Sequence, residues 1–105
     1  LTAGTKTTLF TVPTRNMAKW NLLYAHNATA SAKNFSAYWY DASENVEVAV
    51  FENYPLASKA YLKFDNAYVV LDEGDEIRIL AEAGATASCI ITVELDARST
   101  VQPYA

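Results

Sequence analysis

The densest group of potential metal ligands is the acidic run at residues 72–76, which reads DEGDE. Carboxylate oxygens are the ligands that Ca2+ prefers in proteins. The run lacks the Asp-x-Asp-x-Asp-Gly order and the glutamate at the twelfth position that characterise a calcium-binding loop. Its single glycine, Gly74, instead suits a turn residue with a positive φ. We therefore interpret the run as a solvated turn, and we predict no metal site and no cofactor.

Catalytic side chains are sparse, because the chain has one histidine, His26, and one cysteine, Cys89. A zinc site needs several such ligands, and an activated nucleophile needs a base beside it. Cys89 lies in a β-branched run, which indicates a buried structural thiol. The twelve Asp and Glu residues leave a carboxylate pair for glycoside hydrolysis open, but none of them stands in an apolar context. We predict that the protein is not an enzyme.

The charge and hydrophobicity patterns argue against nucleic acids and membranes as binding partners. The net charge is -4, and the eight Lys and Arg residues are scattered without a basic stripe. No stretch approaches the roughly 20 apolar residues of a membrane span. Two glycosylation tripeptides occur, at Asn27 and Asn34, but no secretion signal opens the chain. We interpret both tripeptides as coincidental.

Aromatic residues are the best candidates for a binding surface. They form two rows of alternate residues on consecutive predicted strands, and alternate residues of a strand share a face. The candidate partner-binding residues are Trp20, Leu22, Tyr24, His26, Tyr38 and Tyr40. A loop of about seven residues makes the two strands expected neighbours, so the rows should merge into one apolar patch. Trp and Tyr anchor protein interfaces and also stack on sugars, while burial in a two-sided core is a third interpretation.

The elements that position these residues are short β-strands. Apolar and β-branched runs of four to eleven residues are bounded by Gly, Pro, Asn, Asp or Ser, which is typical of strands. The predicted strands span residues 5–12, 17–27, 35–41, 46–50, 61–64, 68–71, 77–80 and 89–95. They predict an all-β fold, an antiparallel β-sandwich of about eight strands with jelly-roll or Ig-like character, and a closed barrel is the alternative. Residues 1–105 are expected to form one domain, with residues 97–105 as a mobile or partner-bound C-terminal tail.

Four short segments follow one another in an order that resembles small virion structural proteins of tailed bacteriophages. They read TLFTVP at residues 8–13, LYAHNAT at 23–29, LDEGDEI at 71–77 and TVEL at 92–95. The resemblance covers about residues 5–96. The usual Pro-Ala-Gly turn after the first strand is missing, since Thr14 and Arg15 follow Pro13.

The resemblance implies a non-enzymatic β-sandwich on the virion, most simply on the capsid surface. Such a protein would be a capsid cement or decoration protein that bridges major capsid subunits, or a neck, tail or fibre component. The family pattern puts Leu23 and Ala25 inward, so we expect Trp20, Leu22, Tyr24 and His26 to point outward as the contact surface. We also expect a homo-oligomer, with a trimer as the working prediction. The alternative of a different class is a carbohydrate-binding module for host recognition.

Overall fold

The computed structural model describes residues 3–65 and 69–97, which form eight β-strands and no helix. The strands are β1 (Thr7–Thr11), β2 (Asn16–Asn27), β3 (Lys33–Asp41), β4 (Val46–Leu56), β5 (Tyr61–Phe64), β6 (Val69–Leu71), β7 (Glu76–Ala81) and β8 (Ala87–Ala97). They build two antiparallel sheets that pack as a β-sandwich. The predicted fold class is therefore confirmed, and neither sheet closes into a barrel.

The two sheets differ in width. The first sheet has the order β1-β7-β3-β4. In the second, β2 is central and pairs along its length with β8 on one side. On its other side β2 pairs with β6 near its start and with β5 near its end. The second sheet is therefore at most three strands wide at any level, against four strands in the first.

A β-bulge in β2 decides which of its side chains enter the core. The register with β8 shifts between Trp20 and Leu22, so β2 carries one extra residue at Asn21. An extra residue reverses the alternation of faces beyond it. Trp20 before the bulge and Leu23 after it both point inward, and both are buried. Unbroken alternation would have placed them on opposite faces.

The core lies between β2 and the middle strands of the first sheet. It consists of fully or almost fully buried apolar side chains in two adjoining clusters. The larger members are Val12, Trp20, Leu23, Phe35, Leu56, Leu71, Ile77 and Ile79. At about 25 cal/mol per Å2 of apolar surface, each of these side chains contributes roughly 1.5–3 kcal/mol of burial free energy.

The predicted end of β4 is wrong. The predicted span was residues 46–50, but the strand continues to Leu56. Asn53 absorbs the irregularity with a φ of 53°, and Pro55 is tolerated because β4 is an edge strand among the described residues. The predicted tail overlaps β8, which ends at Ala97, while residues 98–105 lie outside the described residues.

Candidate functional site

The two predicted aromatic rows do not form one patch. β2 belongs to the second sheet and β3 to the first, so the strands are not neighbours. Outward side chains of β2 and of β3 therefore lie on opposite outer faces of the sandwich. The prediction of a merged surface is wrong because the short loop between the two strands crosses from one sheet to the other.

Trp20 is the clearest correction to the predicted contact surface. Its side chain is only 3% exposed and belongs to the main core cluster. The indole Nε1 donates a hydrogen bond of 3.0 Å to the carbonyl oxygen of Leu22. This bond spans the bulge and satisfies the one polar group of the buried ring. Trp20 is a core residue and cannot belong to an exposed contact surface.

Leu22, Tyr24 and His26 point outward as predicted, and each is half-buried. The Tyr24 ring stacks on that of Tyr61, with ring centroids 5.5 Å apart and planes inclined by 21°. Leu22, Tyr24, Tyr61, Lys63 and Ile90 line a shallow groove of about 430 Å3. We call these five residues the tyrosine face.

The tyrosine face is assembled across three strands. Tyr24 on β2 lies opposite Lys63 on β5 and opposite Ile90 on β8. Tyr61 and Ile90 are 61% and 56% exposed, so both present large apolar surfaces to solvent side by side with Tyr24. His26 lies two residues beyond Tyr24 on β2, opposite Tyr61. The face is therefore a contiguous, largely apolar area on the outside of the second sheet.

Tyr61 and Ile90 were not among the predicted contact residues. Alternation within each strand places Tyr61 on the same face as Lys63, and Ile90 opposite the inward Ile91. This alternation could have identified both residues as outward-facing. Their contact with Tyr24 depends on pairing between strands that are distant in sequence, which local patterns do not predict.

Tyr38 and Tyr40 lie on the other outer face and are covered by their own chain. The Lys6 ammonium lies 4.0 Å from the Tyr38 ring centroid, and the Arg78 guanidinium lies 4.1 Å from that of Tyr40. Tyr38 is only 6% exposed. Cation–π contacts of this kind stabilise the sheet surface by roughly 0.5–1 kcal/mol each. These tyrosines present little free apolar area, so their predicted contact role is not supported by their surroundings.

Glu47 holds the two cations of this outer face in place. Its carboxylate accepts hydrogen bonds from Lys6 Nζ at 2.6 Å and from Arg78 Nη1 at 2.9 Å. The bond from Lys6 is the largest cause that lowers the pKa of Glu47, against the opposing effect of partial burial. Arg78 also binds Glu76, which together with Glu47 raises the pKa of Arg78.

Glu47→Gln is expected to lower the free energy of unfolding at neutral pH by no more than about 1 kcal/mol, since the pair is partly solvated. Because folding lowers the pKa of Glu47, its contribution is full above the ordinary value of 4.5 and is lost as the pH falls through the folded value. Urea denaturation of both proteins from neutral pH to below pH 4.5 measures this. A difference that does not shrink on acidification would contradict the assignment.

The interpretation of the acidic run at residues 72–76 as a solvated turn is wrong for Asp75. Asp75 is only 2% exposed and is not part of a solvated turn. Its carboxylate accepts hydrogen bonds from Trp39 Nε1 at 3.0 Å and from the backbone N–H groups of Ala42 and Asp72 at 2.9 Å each. Gly74 has the expected positive φ of 83°. Asp75 therefore ties the β3–β4 turn to the β6–β7 turn.

No cluster of three or more His, Cys, Asp or Glu side chains suited to a metal ion occurs within residues 3–65 and 69–97. A cavity of about 310 Å3 adjoins Asp41, Asp72 and Asp75. Asp41 accepts bonds from its own turn, at Ser43 and Glu44. The acidic side chains beside this cavity are thus engaged in turn structure.

Two further motif residues have structural roles. Asn27, the acceptor of a glycosylation tripeptide, is fully buried, and its amide donates to the carbonyl oxygens of Ser31, Leu56 and Ala57. Its side chain cannot carry a glycan in the folded protein. Cys89 packs against the core, and burial raises the pKa of its thiol to about 11. A thiol with this pKa is protonated at neutral pH and is a poor nucleophile.

Comparison of the chain with protein-family models, with curated proteins and with solved structures found no match. In the part of the chain that the structure describes, no helix is long and apolar enough to cross a membrane.

Proposed function

We propose that the protein is a non-enzymatic structural protein of a phage virion, a capsid cement or decoration protein that binds major capsid subunits through the tyrosine face. The observation that carries the proposal is the exposed apolar area around Tyr24, Tyr61 and Ile90. The virion as the location comes from the four ordered segments that resemble phage structural proteins. Both features fit a β-sandwich that binds and does not catalyse.

The energetics of the tyrosine face suit docking on another protein. A large side chain transferred from water to an interface contributes roughly 1.5–3 kcal/mol before the costs of association. Tyr24 and Tyr61 are already stacked on each other, so little side-chain freedom remains to be lost on binding. Many copies on one shell would add avidity to single contacts of moderate strength.

A carbohydrate-binding module is the second candidate, and the paired tyrosine rings favour it, because aromatic side chains stack on sugars. Sugar recognition also needs several polar groups that fix the hydroxyls. The tyrosine face offers the Lys63 ammonium and two phenol groups, against the apolar side chains of Leu22 and Ile90. Its composition therefore favours a protein partner.

Tyr61→Ala is expected to weaken attachment to capsids by tenfold or more, because exposed aromatic anchors dominate interface energies. Tyr61 is largely exposed, so its removal should leave the fold intact. Co-sedimentation of the purified variant with capsids that lack the protein measures the affinity.

Counting copies per virion by quantitative mass spectrometry separates a shell component, with hundreds of copies, from a neck or tail component.

Tyr54→Ala is the matched control, since Tyr54 is a similarly exposed tyrosine on β4 of the other sheet. It should bind capsids like the wild type. Equal loss in both variants, or full binding by Tyr61→Ala, would rule out the tyrosine face as the attachment surface. A glycan that binds the wild type and not Tyr61→Ala, with capsids unbound by either, would favour the carbohydrate-binding alternative.

A further inference from the structure

The longest edge of the second sheet is β8. Its eleven residues pair with β2 along one edge, and the other edge has no partner strand among residues 3–65 and 69–97. An unpaired edge presents backbone N–H and C=O groups that can bond to a further strand. β8 therefore offers a template for one more antiparallel strand.

The other edges are shorter or interrupted. β1 has five residues and a register shift between Thr8 and Phe10, and β4 carries Pro55 and the left-handed Asn53. β5 and β6 have only four and three residues. β8 has no proline, no glycine and no basic residue, and the bulge in its pairing lies in β2. Of the devices by which proteins usually protect a long edge from pairing, it has only two charged residues, Glu94 and Asp96, both near its C-terminal end.

We infer that β8 pairs with β8 of a second copy of this chain, antiparallel, about a two-fold axis at Thr92. This register pairs all eleven residues, with Thr92 opposite itself, over a seam of about 37 Å at about 3.4 Å per residue. Ile91 then lies opposite Val93 of the second copy, so inward residues meet inward residues. A threonine pair at the centre is a favourable cross-strand contact.

The charges of β8 do not oppose antiparallel pairing with a second copy. Glu94 and Asp96 both lie in the C-terminal part of β8, and β8 carries no other charge. In the antiparallel register they lie opposite Ile90 and Ser88 of the second copy, so no like charges face each other. A parallel pair in register would place each carboxylate against its own copy, which is destabilising.

The inward side chains of β8 are less buried than those of β2, so the core is incompletely covered at the β8 edge. The inward residues of central β2, such as Leu23 and Ala25, are buried, whereas the inward Cys89, Ile91 and Val93 of β8 are only half-buried. One more strand would cover this row and bring the narrower sheet to four strands across. Ile90 of the tyrosine face lies on β8 and points outward. Pairing of the two β8 strands would therefore bring the tyrosine faces of the two copies next to each other.

The inference stands apart from the proposed virion function, since it concerns the isolated chain. It replaces the trimer expected from the sequence with a two-fold dimer, because a strand edge that pairs with itself closes after two copies. Sedimentation equilibrium of the purified chain over a micromolar to millimolar series should show a monomer–dimer equilibrium. Amide hydrogen exchange in β8 should slow as the dimer forms.

Two exposed positions on β8 provide a matched pair of variants. Thr92→Lys puts two ammonium groups opposite each other at the axis and should raise the dimer dissociation constant about fivefold or more. Ser88→Lys places its ammonium opposite Asp96 of the second copy and should leave the constant unchanged or lower it. Both side chains point to solvent in the single chain, so both variants should fold.

A chain that stays monomeric throughout the series, or that forms a trimer, overturns the inference. Equal weakening by the two lysine variants overturns the register at Thr92. The capsid-binding experiment tests the proposed function independently of the dimer, because Tyr61 lies on β5 and away from the β8 edge.

Discussion

Trp20→Ala is expected to lower the free energy of unfolding by about 4 kcal/mol. The side chain belongs to the main core cluster together with Leu23 and Leu71, and its removal leaves a cavity that the packed sheets cannot fully close. The variant also loses the hydrogen bond from the indole to Leu22 across the bulge. Urea denaturation followed by far-ultraviolet circular dichroism measures the change.

Tyr24→Ala is the informative comparison on the same strand. Tyr24 points outward and is half-buried, so its truncation should cost the fold much less than that of Trp20. Tyr24→Ala should weaken capsid attachment, whereas Trp20→Ala should act mainly by lowering the stability of the fold. A Trp20→Ala protein with the wild-type denaturation midpoint and no capsid binding would mean that Trp20 is a contact residue and not a core residue.

Asp75→Ala is expected to destabilise the protein by a similar amount, about 3–5 kcal/mol. The substitution leaves three donors without their acceptor: the Trp39 indole and the N–H groups of Ala42 and Asp72. A buried donor without a partner costs about 1–3 kcal/mol. The two turns would also lose the hydrogen bonds by which the Asp75 carboxylate joins them.

The neighbouring Glu73 serves as the control for this turn. Glu73 is exposed, and Glu73→Ala should change the unfolding free energy by no more than about 0.5 kcal/mol. Thermal unfolding of both variants gives the comparison. Similar small changes for Asp75 and Glu73 would mean that the carboxylate of Asp75 is solvated and not a structural link.

The two outer faces of the sandwich have different chemistry, although both carry tyrosines. On the first sheet, Lys6 and Arg78 cover the rings of Tyr38 and Tyr40, so their apolar area is already used within the chain. On the second sheet, Tyr61 and Ile90 remain open to solvent. Of the two outer faces, that of the second sheet therefore offers the more open apolar area around its tyrosines, and this asymmetry underlies the proposed attachment.

Local patterns in the sequence predicted the strands well. β5 matches its predicted bounds of 61–64, and β2 and β3 differ from theirs by one and two residues at one end. Strand formation depends on alternation and on turn residues close in sequence, so it can be inferred locally. Alternation along β7 likewise indicates that Ile77 and Ile79 point inward, and both are buried.

What the sequence by itself determined is therefore the all-β class and most strand bounds to within two residues, while the outward direction of Leu22, Tyr24 and His26 was expected from the resemblance to phage proteins. Only the tertiary structure decided that Trp20 is core, because a single extra residue at Asn21 reverses the faces of β2 without any local signal. It also decided that β2 pairs with β5 and β8 and not with β3, which brings Tyr61 and Ile90 beside Tyr24. Pairing between strands distant in the chain depends on how the whole core packs, and that information is spread over many residues.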